Sequence, residues 1–287
     1  MAKLYVIGNG FDLWHNLPTR YKDFYDYAKN TLDEFDNYYC FDLNNDKPWY
    51  DFENALGAFD ADAFLDFHNE IDAMADDFRP SFIYGLEDEI TEQTNAHVST
   101  IKETFTNWIN QLDISQVEKK MTFTKDSSFI TFNYTSTLQS VYEIDDQRIL
   151  HIHGSAEMLD DLIFGHGDDI NEPPEFDDNG DSNRHIFSDA QSISRYPLYA
   201  LKKPVSNILK KNEEYFLQLG DIHEIVIIGH SLNKIDQPYF RRIAIKLENS
   251  LWKICIYHKD GQEDYKQRLI DCGIEKSRIE IITYENL

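Results

Sequence analysis

The sequence predicts an α/β fold: a Rossmann-like parallel sheet with a large helical insertion after its first strand. Three observations predict it. Short β-branched runs recur along the chain, each ending at glycine or polar residues. The first, Lys3-Leu4-Tyr5-Val6-Ile7, runs straight into Gly8-Asn9-Gly10-Phe11-Asp12. The long stretch between it and the next run carries helical periodicity. Brief apolar runs of this kind suit parallel strands buried on both faces, and open parallel sheets bind ligands outside the carboxyl ends of their strands.

A strand that stops at Gly-x-Gly before a helix brings backbone N–H groups close to a phosphate, with the helix end adding partial positive charge. The third glycine of the dinucleotide fingerprint is absent, because position 13 is Leu13. A structural turn explains the pair of glycines equally well at this point. An apolar-aromatic helical pattern follows Pro18, and residues 20–122 read as a helical insertion or cap. Within it Leu56, Phe59, Ala63, Phe67, Ile71, Met74 and Phe78 step by three or four, as one helix face does. Val98, Ile101, Phe105, Trp108 and Leu112 continue the pattern in a later helix. Such stripes are core or a homo-oligomer or partner interface.

Further strands follow. Ser128–Phe132 ends at Asn133, Arg148–Ile152 at His153-Gly154, and Glu224–Ile228 at Gly229-His230-Ser231. Trp252–Tyr257 ends near His258, Ile279–Ile282 closes the chain, and Leu162-Ile163-Phe164 is a further short candidate. Residues 168–189 are acidic and rich in Pro, Gly and Asn, as a loop or lid is. The expected organisation is a nucleotide-binding domain of residues 1–19 and 123–287, interrupted by the helical insertion.

The net charge of −25, from 27 basic and 52 acidic side chains, argues against nucleic-acid and anionic-membrane partners. Cys40, Cys255 and Cys272 are widely spaced and suggest neither a disulfide framework nor a zinc ribbon. With no signal-peptide pattern and no apolar run of about 20 residues, the expectation is a soluble, cytoplasmic protein.

Polar residues gather where strands stop. Asn133 leaves the second strand, where an amide is most often a turn or cap residue. His151 and His153 alternate, so both face one side if the strand stays extended, but no third ligand has convincing metal spacing and no metal is expected. The order Gly8-Asn9-Gly10, Thr131-Phe132-Asn133, His153-Gly154-Ser155 and Gly229-His230-Ser231-Leu232, with Leu17-Pro18 after the first, resembles the sirtuin NAD-binding core. That resemblance covers about half the chain. A closer one runs nearly its full length. Tyr5 to Asp12, Leu17-Pro18, Trp49-Tyr50-Asp51-Phe52-Glu53, Asn133-Tyr134-Thr135 and His151-Ile152-His153-Gly154 resemble the bacterial abortive-infection AbiH family.

These resemblances imply a phage-defence effector that cleaves NAD at the nicotinamide-ribose bond, with NAD as substrate and no metal. The sirtuins' four-cysteine zinc module is missing, the serine of their opening motif is Asp12, and Thr19-Arg20-Tyr21 replaces their Asp-Phe-Arg. A deacylase is therefore disfavoured, and hydrolysis transfers more comfortably. By resemblance Asn133 holds a ribose hydroxyl or the water, and His153 acts as general base or as a ribose-hydroxyl partner. Gly8, Asn9 and Gly10 cradle the pyrophosphate, Arg20 offers charge, and Gly229 and Ser231 contact the adenosine-side ribose or phosphate, with Phe11 and His230 also counted among the cofactor-binding residues. Asp12 either caps the following helix or touches a ribose hydroxyl, and Glu53 is either a site residue or an ordinary helix start. The alternative is a non-catalytic module that senses a nucleotide or binds a partner protein that reports phage.

Overall fold

Lys3–Ile7 (β1), Ser128–Thr131 (β2), Ile149–His151 (β3), Glu224–Ile228 (β4), Leu251–Ile256 (β5) and Ile279–Thr283 (β6) form one sheet in the computed structural model. The structure describes residues 2–41, 46–257 and 261–287, so His258 lies outside the described residues. All neighbouring strands pair in parallel, in the order β3-β2-β1-β4-β5-β6. This is the Rossmann order, and its topological switch point falls between β1 and β4.

The apolar character of the runs follows from burial of both sheet faces, since successive side chains point to opposite sides. Leu4, Val6, Ile130, Ile225, Ile227 and Ile254 enter one buried cluster. Tyr239, Phe240 and Ile243 of the helix Gln237–Lys246 and Leu269 of the helix Gln262–Asp271 complete it. Tyr5, Ile7, Phe129, Val226, Ile228 and Cys255 enter the other, with Phe11, Leu138 and Tyr142.

The chain divides into two compact units: Met1–Arg20, Trp108–Ile163 and Pro204–Leu287 form the first, and Tyr21–Asn107 with Phe164–Lys203 form the second. The sheet belongs to the first. The second draws on an additional segment, residues 164–203, that the sequence left with the sheet. Its interior is aromatic: Phe52 stacks on Phe105 with centroids 5.6 Å apart, and Phe164 lies 4.4 Å from Phe105. Trp49 donates its indole N–H to Asp36 (2.6 Å). Glu53 lies in the first turn of the short helix Phe52–Ala55 and pairs with the buried Lys203 at 2.9 Å.

Two expectations are corrected. The stripe from Leu56 to Phe78 is not one helix. Asp60 caps a new helix, Ala61–His68, by accepting from the N–H groups of Asp62 and Ala63. Residues 69–80 are not helical, and Phe67 and Met74 are exposed. Leu162–Phe164 is not a strand; Ile163 N–H donates to the His153 carbonyl and no ladder forms. Val98, Ile101, Phe105 and Trp108 are buried along the helix Ser81–Asn110, whereas Leu112 lies beyond its end. Among the described residues, no helix is long and apolar enough to cross a membrane.

Candidate active site

The glycines after β1 meet the turn after β4. Gly8 N–H donates to Ile228 O at 2.9 Å, Gly10 N–H to Gly229 O at 2.7 Å, and Phe11 N–H to Gly8 O at 2.9 Å. A Cβ on Gly8 would stand 2.6 Å from the His230 Cα, and one on Gly10 2.7 Å from the Gly229 Cα. Gly229 has φ +69°, and its own Cβ would lie 2.2 Å from Phe11 N. The glycines thus serve a backbone-to-backbone seam across the switch point. The N–H groups of Gly8, Gly10 and Phe11, expected at a pyrophosphate, have acceptors inside the protein. Asn9 turns its amide to the Thr19 carbonyl at 2.7 Å.

Asp12 neither caps a helix nor reaches outward. It is 1% exposed and accepts from Thr135 Oγ1 (2.6 Å) and Thr137 Oγ1 (2.8 Å), with Asn133 as a third partner. Burial pushes its carboxyl up to about 6 from 3.8, outweighing those hydrogen bonds. Between these values the folded protein holds a proton that the unfolded chain has released. Stability from this group is therefore full below pH 3.8 and is lost as pH rises through about 6. The difference corresponds to about 3 kcal/mol. Asp12→Asn should gain about that much relative to wild type between pH 4 and 7 in denaturant titrations. A pH-independent difference between the two proteins would refute this assignment.

Asn133 is buried, donates its backbone N–H to Thr131 Oγ1 (3.1 Å), and keeps its carbonyl 3.2 Å from His151 Nδ1. Its side-chain Oδ1 is buried with no hydrogen-bond partner among the described residues. The chain turns after β3, Gly154 N–H donating to His151 O, so it does not stay extended as the alternating histidines required. His151 goes to Gln139 Nε2 at 2.8 Å, and burial lowers its pKa. His153 instead meets Phe132 and Tyr239, with ring centroids 5.2 and 5.7 Å away.

Asp236 stands between two buried imidazoles, with its oxygens 3.6 Å from His230 Nε2 and 4.0 Å from His153 Nε2. His230 Nδ1 accepts the Leu232 N–H at 2.9 Å, which places the ring's proton on the nitrogen facing Asp236. Leu232 adopts φ +56°, a conformation bulky residues rarely hold, and it is fully buried. This strained turn fixes the imidazole. The sequence reading missed Asp236, which precedes Gln237-Pro238 and reads as an ordinary helix cap. It occupies that position but makes no capping hydrogen bond, leaving its carboxylate to the histidines. His230 is thereby committed to this cluster, whereas Ser231 is exposed and its carbonyl accepts from Arg268 (2.6 Å).

The Thr131–Asn133 segment joins the two clusters. Phe132 lies against His153 and His230, while the next side chain, Asn133, holds Asp12. Arg20 lies elsewhere, with Gly10 on the wall of a separate cleft. Chemically, the His153–Asp236–His230 cluster can take up and return a proton, and the unsatisfied Asn133 oxygen can accept from a substrate hydroxyl.

No curated protein and no solved structure matches the chain. The family model described as bacteriophage abortive infection AbiH matches residues 4–258, a span that takes in the glycine seam, the Asp12 cluster and the histidine–aspartate cluster. The chain belongs to the bacteriophage abortive infection AbiH family.

Proposed function

We propose that this protein is an abortive-infection effector that cleaves NAD at its nicotinamide-ribose bond and so depletes the infected cell of the cofactor. The observation that carries the reading is the buried Asn133 Oδ1, without a hydrogen-bond partner among the described residues, one residue from the Phe132 ring that packs on His153. In this reaction the bond between the ribose anomeric carbon and the pyridinium nitrogen breaks, and its electron pair leaves with neutral nicotinamide. No strong acid is needed. A water oxygen bonds to the anomeric carbon, and the proton it loses goes to His153; the products are ADP-ribose and nicotinamide. The transition state is oxocarbenium-like, and a ribose hydroxyl held by Asn133 Oδ1 fixes the ring as charge develops. Asp236 orients His153 and stabilises the imidazolium.

Incubating purified protein with NAD tests this reading: free nicotinamide is expected, and neither nicotinamide release nor NAD loss in infected cells would leave the nucleotide-sensing alternative in its place. Asp236→Asn is expected to slow cleavage and move the acid limb of the pH–rate profile to lower pH, because the imidazolium loses its neighbouring carboxylate. An unmoved profile would show that Asp236 only shapes the fold.

A further inference from the structure

A concavity lies in the first unit at the carboxyl ends of β1, β5 and β6. It measures about 1020 Å³, and Trp14, Arg20, Lys120, Tyr257, Tyr284 and Glu285 lie on its walls. Neither Asn133, His153 nor Asp236 lines it. One wall is aromatic: the Trp14 and Tyr284 rings are 4.8 Å apart, and Tyr257 follows 5.8 Å from Tyr284. Trp14 and Tyr284 are half-buried and Tyr257 is 71% exposed, so ring surface is presented to solvent. Lys120 Nζ stands 5.8 Å from the centre of the Trp14 ring.

Charge makes this placement informative. In a chain with 52 acidic and 27 basic side chains, the general field repels anions. Two exposed cations, Arg20 and Lys120, nevertheless line one aromatic concavity, the Lys120 ammonium donating to the Trp14 carbonyl at its wall. A purely apolar ligand has no use for them, and a free anion has no use for the rings. A planar base joined to a phosphate uses both, by stacking and by charge-assisted hydrogen bonds. Gly10, one of the seam glycines, also lines this cleft.

We propose that this cleft is a second nucleotide site that binds a nucleoside mono- or diphosphate. The base stacks on Tyr257 and Tyr284, the phosphate lies on Arg20 and Lys120, and the Glu285 carboxylate accepts from ribose hydroxyls or an exocyclic amine. The site is separate from the NAD-cleaving cluster and does not rest on that reading.

Calorimetric titration of the full chain with AMP and ADP tests the proposal, with adenosine and inorganic phosphate as separate arms. Saturable nucleotide binding is expected, weakened about 10-fold by Tyr257→Ala, a loss in the range of one stacked base. Lys120→Glu should weaken binding further and reduce its salt dependence. Both side chains are exposed, so the variants should keep wild-type melting curves. Absence of binding would overturn the proposal, as would inorganic phosphate binding as tightly as ADP. So would ADP binding that survives both variants and is lost in His153→Ala.

Discussion

On the proposed mechanism, His153→Ala is expected to lower the rate of NAD cleavage by about 10²–10⁴-fold, the usual contribution of a positioned general base. The imidazole is 3% exposed, 4.0 Å from Asp236, and in ring contact with Phe132 and Tyr239. Its removal leaves a cavity as well as a missing base, so the loss of activity must be read beside stability. His153→Gln keeps most of the volume and supplies no comparable base. Both variants should fail to release nicotinamide and fail to protect cells from phage. If the glutamine variant melts like wild type and still cleaves NAD at the wild-type rate, His153 is not the base.

Gly229→Ala is expected to destabilise the protein by more than about 4 kcal/mol, the range reserved for severe backbone conflict. The added methyl carbon would lie 2.2 Å from Phe11 N and 2.5 Å from the Gly10 carbonyl carbon, while the backbone stays at φ +69°. Both partners are main chain, so no rotamer change relieves the clash. Gly85 provides the contrast. It lies inside the helix Ser81–Asn110 with nothing within 4 Å of its would-be Cβ. There alanine should stabilise by about 0.5–1 kcal/mol through helix propensity. Denaturant titration of the two variants checks both signs, and a mild effect at Gly229 would mean that the seam opens in solution.

The strands were readable because each is short, β-branched and buried on both faces, so that apolar runs and strands nearly coincide. The Leu56–Phe78 stripe misled because apolar spacing continued past the residues that end helices. Asp60 starts a separate turn there, and Phe67 and Met74 kept the period while pointing into solvent. The candidate site divides in the same way. Asn133 and His153 stood out locally, at the ends of strands. The partners that give their neighbours meaning are remote: Thr135 lies 123 residues from Asp12. Gly10 looked like a phosphate turn because its own surroundings cannot reveal that Gly229 receives its N–H. Asp236 was hidden by a more ordinary explanation, the helix start beside it.

The central position of β1 carries a kinetic consequence. Its two neighbours, β2 and β4, end at Thr131 and Ile228, so β1 is flanked on both sides only after about 220 further residues have been made. At about 5–20 residues per second of synthesis, it waits on the order of 10–40 seconds with at least one hydrogen-bonding edge open. An open apolar strand is a template for misassociation between nascent chains, and non-local parallel pairing is slow to form even when complete. The surplus of 25 negative charges gives those unfinished chains mutual repulsion throughout that interval. Neutralising surface acids far from every candidate site should therefore lower the soluble yield of newly made protein more than it changes the stability of protein that has already folded.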